Sequence, residues 1–329
     1  MSAPILSQAP RIVVLGSLNM DLVLRVPHMP RAGETMLGHS LTQVPGGKGG
    51  NQAVSCARQG AAVTLLSCVG EDAYAEQLLA GLVADHINAQ HVQRTALAGT
   101  GVAVISVDDA AQNQIVVVPG ANELLRVPQA LLQAQLQGAD YVVLQLETPL
   151  AEVEQALRLA RQTGCKTALN PSPMQALPEH WWPMVDLLVV NESEAAQLCG
   201  RPVDTPQAAA AAARQLQGRG VAQVVVTLGA LGAVACDATI ANDDGTEAIS
   251  GVAHWHEAAQ VQAVDTTAAG DTFLGALTVQ LARGLGLNDA TQWAMRAASI
   301  CVTRAGAQPS IPYFAEVETL TGATRWSLV

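Results

Sequence analysis

The alternation of short apolar runs with helical patterns limits what this chain can fold into more than any other feature. "RIVVLGS" reads as a strand and "NQAVSCARQG" as a helix closed by Gly60. "AVTLLSCVG" is again a strand, followed by the helix "DAYAEQLLAGLVADH". The rhythm returns in "ADYVVLQLE", the helix "LAEVEQALRLARQTG", "KTALN", "VDLLVVN", the helix "SEAAQLCG" and an Ala-rich helix from Pro206 to Gln217. "AQVVVTLG" and "GAVAC" then lead to two closing helices, "AGDTFLGALTVQLARGLG" and "NDATQWAMRAASICVTRAG". Such alternation implies an α/β fold with a doubly wound, mostly parallel central sheet flanked by helices. Half of the residues are hydrophobic but only 3% are aromatic, which suits helices packed on a buried parallel sheet. With no internal repeat or linker, the expectation is one α/β domain over residues 1–329, and "ANDDGTEAISG" reads as an exposed turn.

Two segments break the rhythm. "DLVLRVPHMPRAGETMLGHSLTQV" and "TGVAVISVDDAAQNQIVVVPGA" alternate apolar with polar residues and hold no helical pattern, so they read as strands with one wet face. Strands from about 18–45 and 98–119 would then form a small separate sheet, a lid over the carboxyl ends of the parallel strands.

A formal charge of −11 argues against nucleic acid or an anionic membrane as the main partner. The six cysteines are scattered with no C-x-x-C pair and read as reduced thiols of a cytoplasmic protein. The start "MSAPILSQAPR" lacks the pattern of a secretory signal, and the run "VVVTLGALGAVAC" is too short to span a bilayer.

No Walker-type phosphate loop and no G-x-G-x-x-G is present, which disfavours both a P-loop nucleotidase and a standard dinucleotide site. Glycine-rich turns at strand-to-helix junctions remain. In "PGGKGGNQA", glycines including Gly46 and Gly47 let the backbone approach a ligand while Lys48 and Asn51 offer donors; a flexible hairpin tip is the structural alternative. Asn19 and Asp21 in "GSLNMD" suit adjacent hydroxyls of a polyol, or an Asx-type turn. Glu147 in "QLETP" reads as a helix-capping acid at the same sheet edge. Asn191 and Glu194 in "VVNESEA" form a capping box or orient a hydrated Mg²⁺ beside phosphates. "TLGALG", with Thr227, Gly229 and Gly232, suits nucleotide contact or a plain bend. His254 and His256 in "HWH" share a strand face but lack a third metal ligand. The Trp181–Trp182 pair reads as a packed helix edge.

The stretch "VDTTAAGDTF" carries the sharpest chemistry. Free amides of Ala268, Ala269 and Gly270 at a helix start make a nest for negative charge, and Asp271 points into the same pocket. An acid favouring the helix dipole is the structural alternative. The catalytic reading has Asp271 take a proton from a substrate hydroxyl while the amides stabilise a moving phosphoryl group.

In their order and spacing, "GSLNMD", "PGGKGGNQA", "NESEA", "TLGALG" and "DTTAAGDTF" resemble the ribokinase family of carbohydrate kinases (PfkB superfamily), from about Val13 to Pro312. "AAGDTF" marks the superfamily, and "GAQPS" is similar to the ribokinase branch. The resemblance implies ATP-dependent phosphorylation of the 5-hydroxyl of D-ribose with Asp271 as base. It also implies a β-lid that doubles as a homodimer contact. Asn19, Asp21, Gly47, Lys48, Asn51 and Glu147 would hold the sugar, and Ala268 to Gly270 would form the anion hole. Asn191 with Glu194 would serve Mg²⁺, and Thr227, Gly229 and Gly232 would line the ATP site. A monovalent cation, usually K⁺, would be held by Asp265, by the carbonyls of Thr267, Cys301, Arg304 and Gly306, and by Ser310. Four residues depart from the family pattern. Gly50 replaces a usual alanine, loosening the sugar loop; Met20 is bulky enough to trim the sugar pocket; Leu231 and Ala305 stand at positions often basic. A sister kinase for deoxyribose, another sugar or a nucleoside stays open, as does a non-catalytic sugar sensor.

Overall fold

The computed structural model describes residues 8–110, 112–237, 251–320 and 326–329. The expected exposed turn "ANDDGTEAISG" and the first seven residues lie outside these, apart from Gly251.

Fourteen strands and nine helices are assigned among the described residues. The strands are β1 (Arg11–Leu15), β2 (Asn19–Arg25), β3 (Ser40–Gly46), β4 (Ala62–Gly70), β5 (Val92–Thr95), β6 (Gly101–Val107), β7 (Asn113–Val118), β8 (Tyr141–Leu144), β9 (Lys166–Leu169), β10 (Leu187–Asn191), β11 (Gln223–Thr227), β12 (Ala233–Cys236), β13 (Ala253–His256) and β14 (Trp326–Leu328). The helices are α1 (Lys48–Arg58), α2 (Ala73–Ala84), α3 (Gln129–Leu136), α4 (Leu150–Thr163), α5 (Glu192–Cys199), α6 (Pro206–Gln217), α7 (Ala269–Ala282), α8 (Leu287–Cys301) and α9 (Phe314–Thr319).

Ten strands form the main sheet, in the order β14-β13-β12-β11-β10-β9-β8-β1-β4-β5. From β5 to β11 all pairings are parallel; β12, β13 and β14 add an antiparallel edge. The reason is visible in β1, where Val13 and Leu15 face one apolar core and Ile12 and Val14 the other. A strand buried on both faces must be apolar throughout, and helices must cover both sides. The core around α3 to α6 lies on one face, and that around α1, α2, α7 and α8 on the other.

Strands β3-β2-β6-β7 form a second, four-stranded sheet, at the two segments that break the helical rhythm. Its β2–β6 pairing is parallel and the other two are antiparallel. Met20 is fully buried in the main core. Because side chains alternate along a strand, it points away from Asn19 and Asp21, so the expectation that it trims a sugar pocket is not met.

Candidate active site

The site gathers where α1 crosses α7. Helix α7 is buried from Asp271 through Gln280 and packs between α1 and α8. A Cβ on Gly275 would come within 2.5 Å of the Ser55 side chain, so only glycine allows this crossing. Ser55 Oγ donates to the Thr272 carbonyl at 2.9 Å, fixing the register of the two helices. That register brings the start of α1 to Asp271. Asn51 Nδ2 donates to Asp271 Oδ2 at 3.0 Å, and Gln52 Nε2 donates to Oδ1 at 2.8 Å.

Asp271 is 7% exposed. Burial raises its pKa above the ordinary aspartate value, although Lys48, Asn51 and Gln52 pull the other way. Ahead of it, Ala268 caps the helix in a left-handed conformation, φ 60°, which costs a side-chain-bearing residue about 1–2 kcal/mol. The expected nest is smaller than three open amides. The Ala269 N–H already donates to the Thr266 carbonyl at 3.2 Å. Gly270 lies in the first turn, where the backbone offers no intrahelical acceptor.

Asn19 and Asp21 lie two residues apart within β2, so they share a sheet face and form no Asx turn. Asp21 is pushed up to about 7, by burial first and then by the charges of Glu147 and Asp271. Gly46 makes room for it, since a Cβ there would sit 2.2 Å from Asp21 Oδ2. Gly47 caps α1 at φ 84°, and a Cβ on it would lie 2.6 Å from the Asn19 backbone nitrogen. The "GGKGG" run is therefore a tight β3–α1 junction and no loose hairpin tip. At Gly50 an added Cβ would meet the ends of the Leu18 and Gln308 side chains at 2.8 and 2.9 Å, which would have to shift to admit it.

Glu147 is no helix cap, because Pro149 occupies that position of α4. Its Oε2 accepts from Ser17 Oγ, from the Lys48 N–H at 3.1 Å and, at 3.5 Å, from Asn19 Nδ2. Burial works to lower the Lys48 pKa, but Asp271, Glu147 and Glu194 outweigh it and hold the ammonium above its ordinary value. Asp271, Glu147 and Glu194 thus act on one lysine.

Asn191 and Glu194 form the full capping box of α5. Glu194 Oε2 also accepts from Asn170 Nδ2 at 3.4 Å, which leaves Oε1 without a protein donor among the described residues. Thr227 ends β11, and Gly229 opens the 3₁₀ turn that follows. Gly232 (φ 104°) is required by packing, since a Cβ there would overlap the His256 carbonyl of β13. Leu231 and Ala305 are exposed.

Asp265 Oδ1 accepts from the Thr267 N–H and Oδ2 from the Gly306 N–H, each at 2.9 Å. Burial alone would raise its pKa; the hydrogen bonds of Thr267 and Gly306 and the charge of Arg25 overcome that and hold it below the ordinary value. Cys301 Sγ lies 3.0 Å from Ser310 Oγ and 3.7 Å from the Thr267 carbonyl, so these three of the expected cation-site residues are neighbours. The Cys301 carbonyl already accepts from the Arg304 N–H, though a carbonyl has a second lone pair. The Arg304 side chain turns away to Glu316. His254 and His256 both engage Asn288, and no group of three His, Cys, Asp or Glu among the described residues could hold a metal ion. Trp181 and Trp182 are buried, as a packed edge requires.

Sequence reasoning missed Ser17, Gln52, Asn122 and Gln145. Asn122 Nδ2 donates to Asn19 Oδ1 at 2.8 Å, orienting that amide. A usable signal existed for Gln145: a glutamine inside the apolar run "YVVLQLE" must find a polar partner once buried.

A profile of the pfkB family carbohydrate kinases matches residues 9–313. The chain is 37% identical over 302 residues to the ribokinase of Haemophilus influenzae, covering 92% of this chain and 95% of that protein. It is 33% identical over 304 residues to the deoxyribokinase of Salmonella typhi, with 92% and 95% covered. Its fold matches that of Arabidopsis thaliana ribokinase complexed with ribose and ATP at a TM-score of 0.83 and 30% identity, over 95% of this chain and 99% of that one.

Proposed function

This chain belongs to the pfkB family of carbohydrate kinases, and from that membership we propose that it transfers the terminal phosphoryl group of ATP to the 5-hydroxyl of D-ribose, giving D-ribose 5-phosphate and ADP. The observation that carries the reading is the buried Asp271 carboxylate at a helix start, held by Asn51 and facing Lys48, Asp21 and Glu147.

On this reading Asn19, Asp21, Lys48, Asn51, Glu147 and the backbone of Gly46 and Gly47 bind the sugar hydroxyls. Asp271 accepts the proton of the attacking hydroxyl as its oxygen bonds to the γ-phosphorus and the bond to ADP breaks. Burial raises the Asp271 pKa above the ordinary aspartate value, which makes the carboxylate a stronger base for that task. The helix start, with Gly270 and its neighbours, stabilises charge on the transferred group. Thr227, Gly229 and Gly232 line the nucleotide side.

Mg²⁺, when bound, would neutralise phosphate oxygens. Glu194 Oε1 fits a water in its shell, because the capping box consumes only the other oxygen. The ionised Asp265, the carbonyls of Thr267, Cys301, Arg304 and Gly306 and the Ser310 hydroxyl are hard oxygen donors that would suit a monovalent cation such as K⁺, which would add positive charge near the anion-binding helix start.

The small sheet acts as the lid. The apolar residues of its edge strand β7 support a homodimer through this face. Six free cysteines suit the reducing cytoplasm, and no helix of the described residues is long and apolar enough to cross a membrane.

The purified protein is to be offered ribose, deoxyribose, other pentoses and nucleosides with ATP and Mg²⁺, in K⁺ or in Na⁺, and ADP release followed. Ribose should be the best substrate and K⁺ should raise the rate. The likeness to a deoxyribokinase keeps deoxyribose as the second reading, and faster turnover of that sugar would decide for it. Asp271→Asn should retain sugar binding while turnover falls about a hundredfold or more; near-normal turnover would remove Asp271 from its role. Ribose binding without any ADP release would favour a sugar sensor.

A further inference from the structure

Behind Asp271 lies a second row of polar groups that substrate binding does not use. Gln52 Nε2 donates to Asp271 Oδ1 at 2.8 Å, and Gln145 Nε2 donates to Gln52 Oε1 at 2.7 Å. Gln52 and Gln145 are both fully buried, so water does not substitute for either contact. We propose that Gln145 and Gln52 form an amide relay that orients the Asp271 carboxylate, with Gln145 a positioning residue that acts through Gln52. The proposal rests on the reading of Asp271 as the base.

A carboxamide has one donating and one accepting end. In the observed orientation both ends of Gln52 are satisfied. Turned over, Gln52 would set its oxygen against an Asp271 oxygen and its NH₂ against that of Gln145. The acceptor-only carboxylate fixes which end of Gln52 meets it, and the Gln145 donor ties down the other end, so that the Gln52 amide, and with it the Asp271 carboxylate, is held in one position. Gln145 Oε1 has no hydrogen-bond partner among the described residues, a burial that leucine in its place would avoid. This oxygen nevertheless has room: it packs against Gly16, where a Cβ would lie 2.1 Å from it and 2.7 Å from the Gly49 backbone. A fully buried amide that keeps one end unpaired while the other donates to Gln52 indicates that the donating end is what the position requires. The relay also spans the fold, running from the residue after β8 through α1 to α7.

Lys48 on α1, Glu147 after β8, Asp21 on β2 and Cys301 on α8 also act on Asp271 or feel its charge, and they form the constant background of the test. Gln145→Met keeps the bulk and removes the donor. It should lower kcat about tenfold with the sugar KM within about twofold, and move the acid limb of the kcat–pH profile up by about half a pH unit or more. In parallel, the Asp271 carboxyl is followed by NMR in protein labelled with ¹³C-carboxyl aspartate, its signal assigned by loss in Asp271→Asn. Its titration should move upward in Gln145→Met. Gln145→Leu serves the same comparison if the methionine variant does not fold. An unmoved Asp271 titration with unchanged kcat, accompanied only by a lower melting temperature, would reduce Gln145 to core filling and overturn the relay. The NMR arm needs no substrate, so failure of the wild type to turn over any sugar would strike the kinase reading separately.

Discussion

Asp21 is 6% exposed, and among the described residues no hydrogen bond reaches its carboxylate. A sugar hydroxyl can supply what the fold withholds. The folded chain keeps this proton up to about pH 7, whereas the reference value is 3.8. Stability from the protonated form is therefore present at low pH and lost as pH rises through about 7. Asp21→Asn should melt at a higher temperature than the wild type at pH 8, by on the order of a few kcal/mol in stability, and the advantage should shrink toward pH 5. Thermal melts at both pH values check the sign. The same variant should lose sugar affinity if, as proposed, a sugar hydroxyl donates to this unmet acceptor. Asp271 obeys the same logic, which is why stability and catalysis pull apart at these two carboxylates.

At the level of elements, the crossing of α1 and α7 sets the site. Gly275→Val should force the helices apart, costing about 1–3 kcal/mol in urea unfolding. Turnover should fall with it, because Asn51 and Gln52 ride on the displaced helix; unchanged ADP release would show that the crossing tolerates a wider spacing. The long periodic elements were legible in the sequence, since a strand buried on both faces and a helix with one apolar side leave strong patterns. β5, α3, α9 and β14 were not. They run from three to eight residues, at edges where few positions are buried. Asn19 and Asp21 could be read as a pair, and the strand that gives them a common face came only with the fold. Gln52 and Gln145 stayed hidden for a different reason: their partners lie 219 and 93 residues away in the chain, and spacing carries no trace of a contact made by tertiary packing.

Across the whole molecule, the small sheet leaves Ile115, Val116, Val117 and Val118 on its edge strand 46–63% exposed. An apolar edge of this kind invites a partner strand or sheet. The proposed homodimer predicts that Ile115→Lys with Val117→Glu will sediment as a monomer where the wild type sediments as a dimer. A wild type that is monomeric at micromolar concentration would remove the dimer from the proposal. The two halves of the site also belong to different parts of the protein. Asp271 is anchored in a helix enclosed by the core, whereas Asn19 and Asp21 belong to the four-stranded sheet. On the proposed reading, any flexing of that sheet would move Asn19 and Asp21, and the sugar they hold, relative to a stationary proton acceptor, so alignment for the reaction would be set from the periphery while the chemistry stays at the centre.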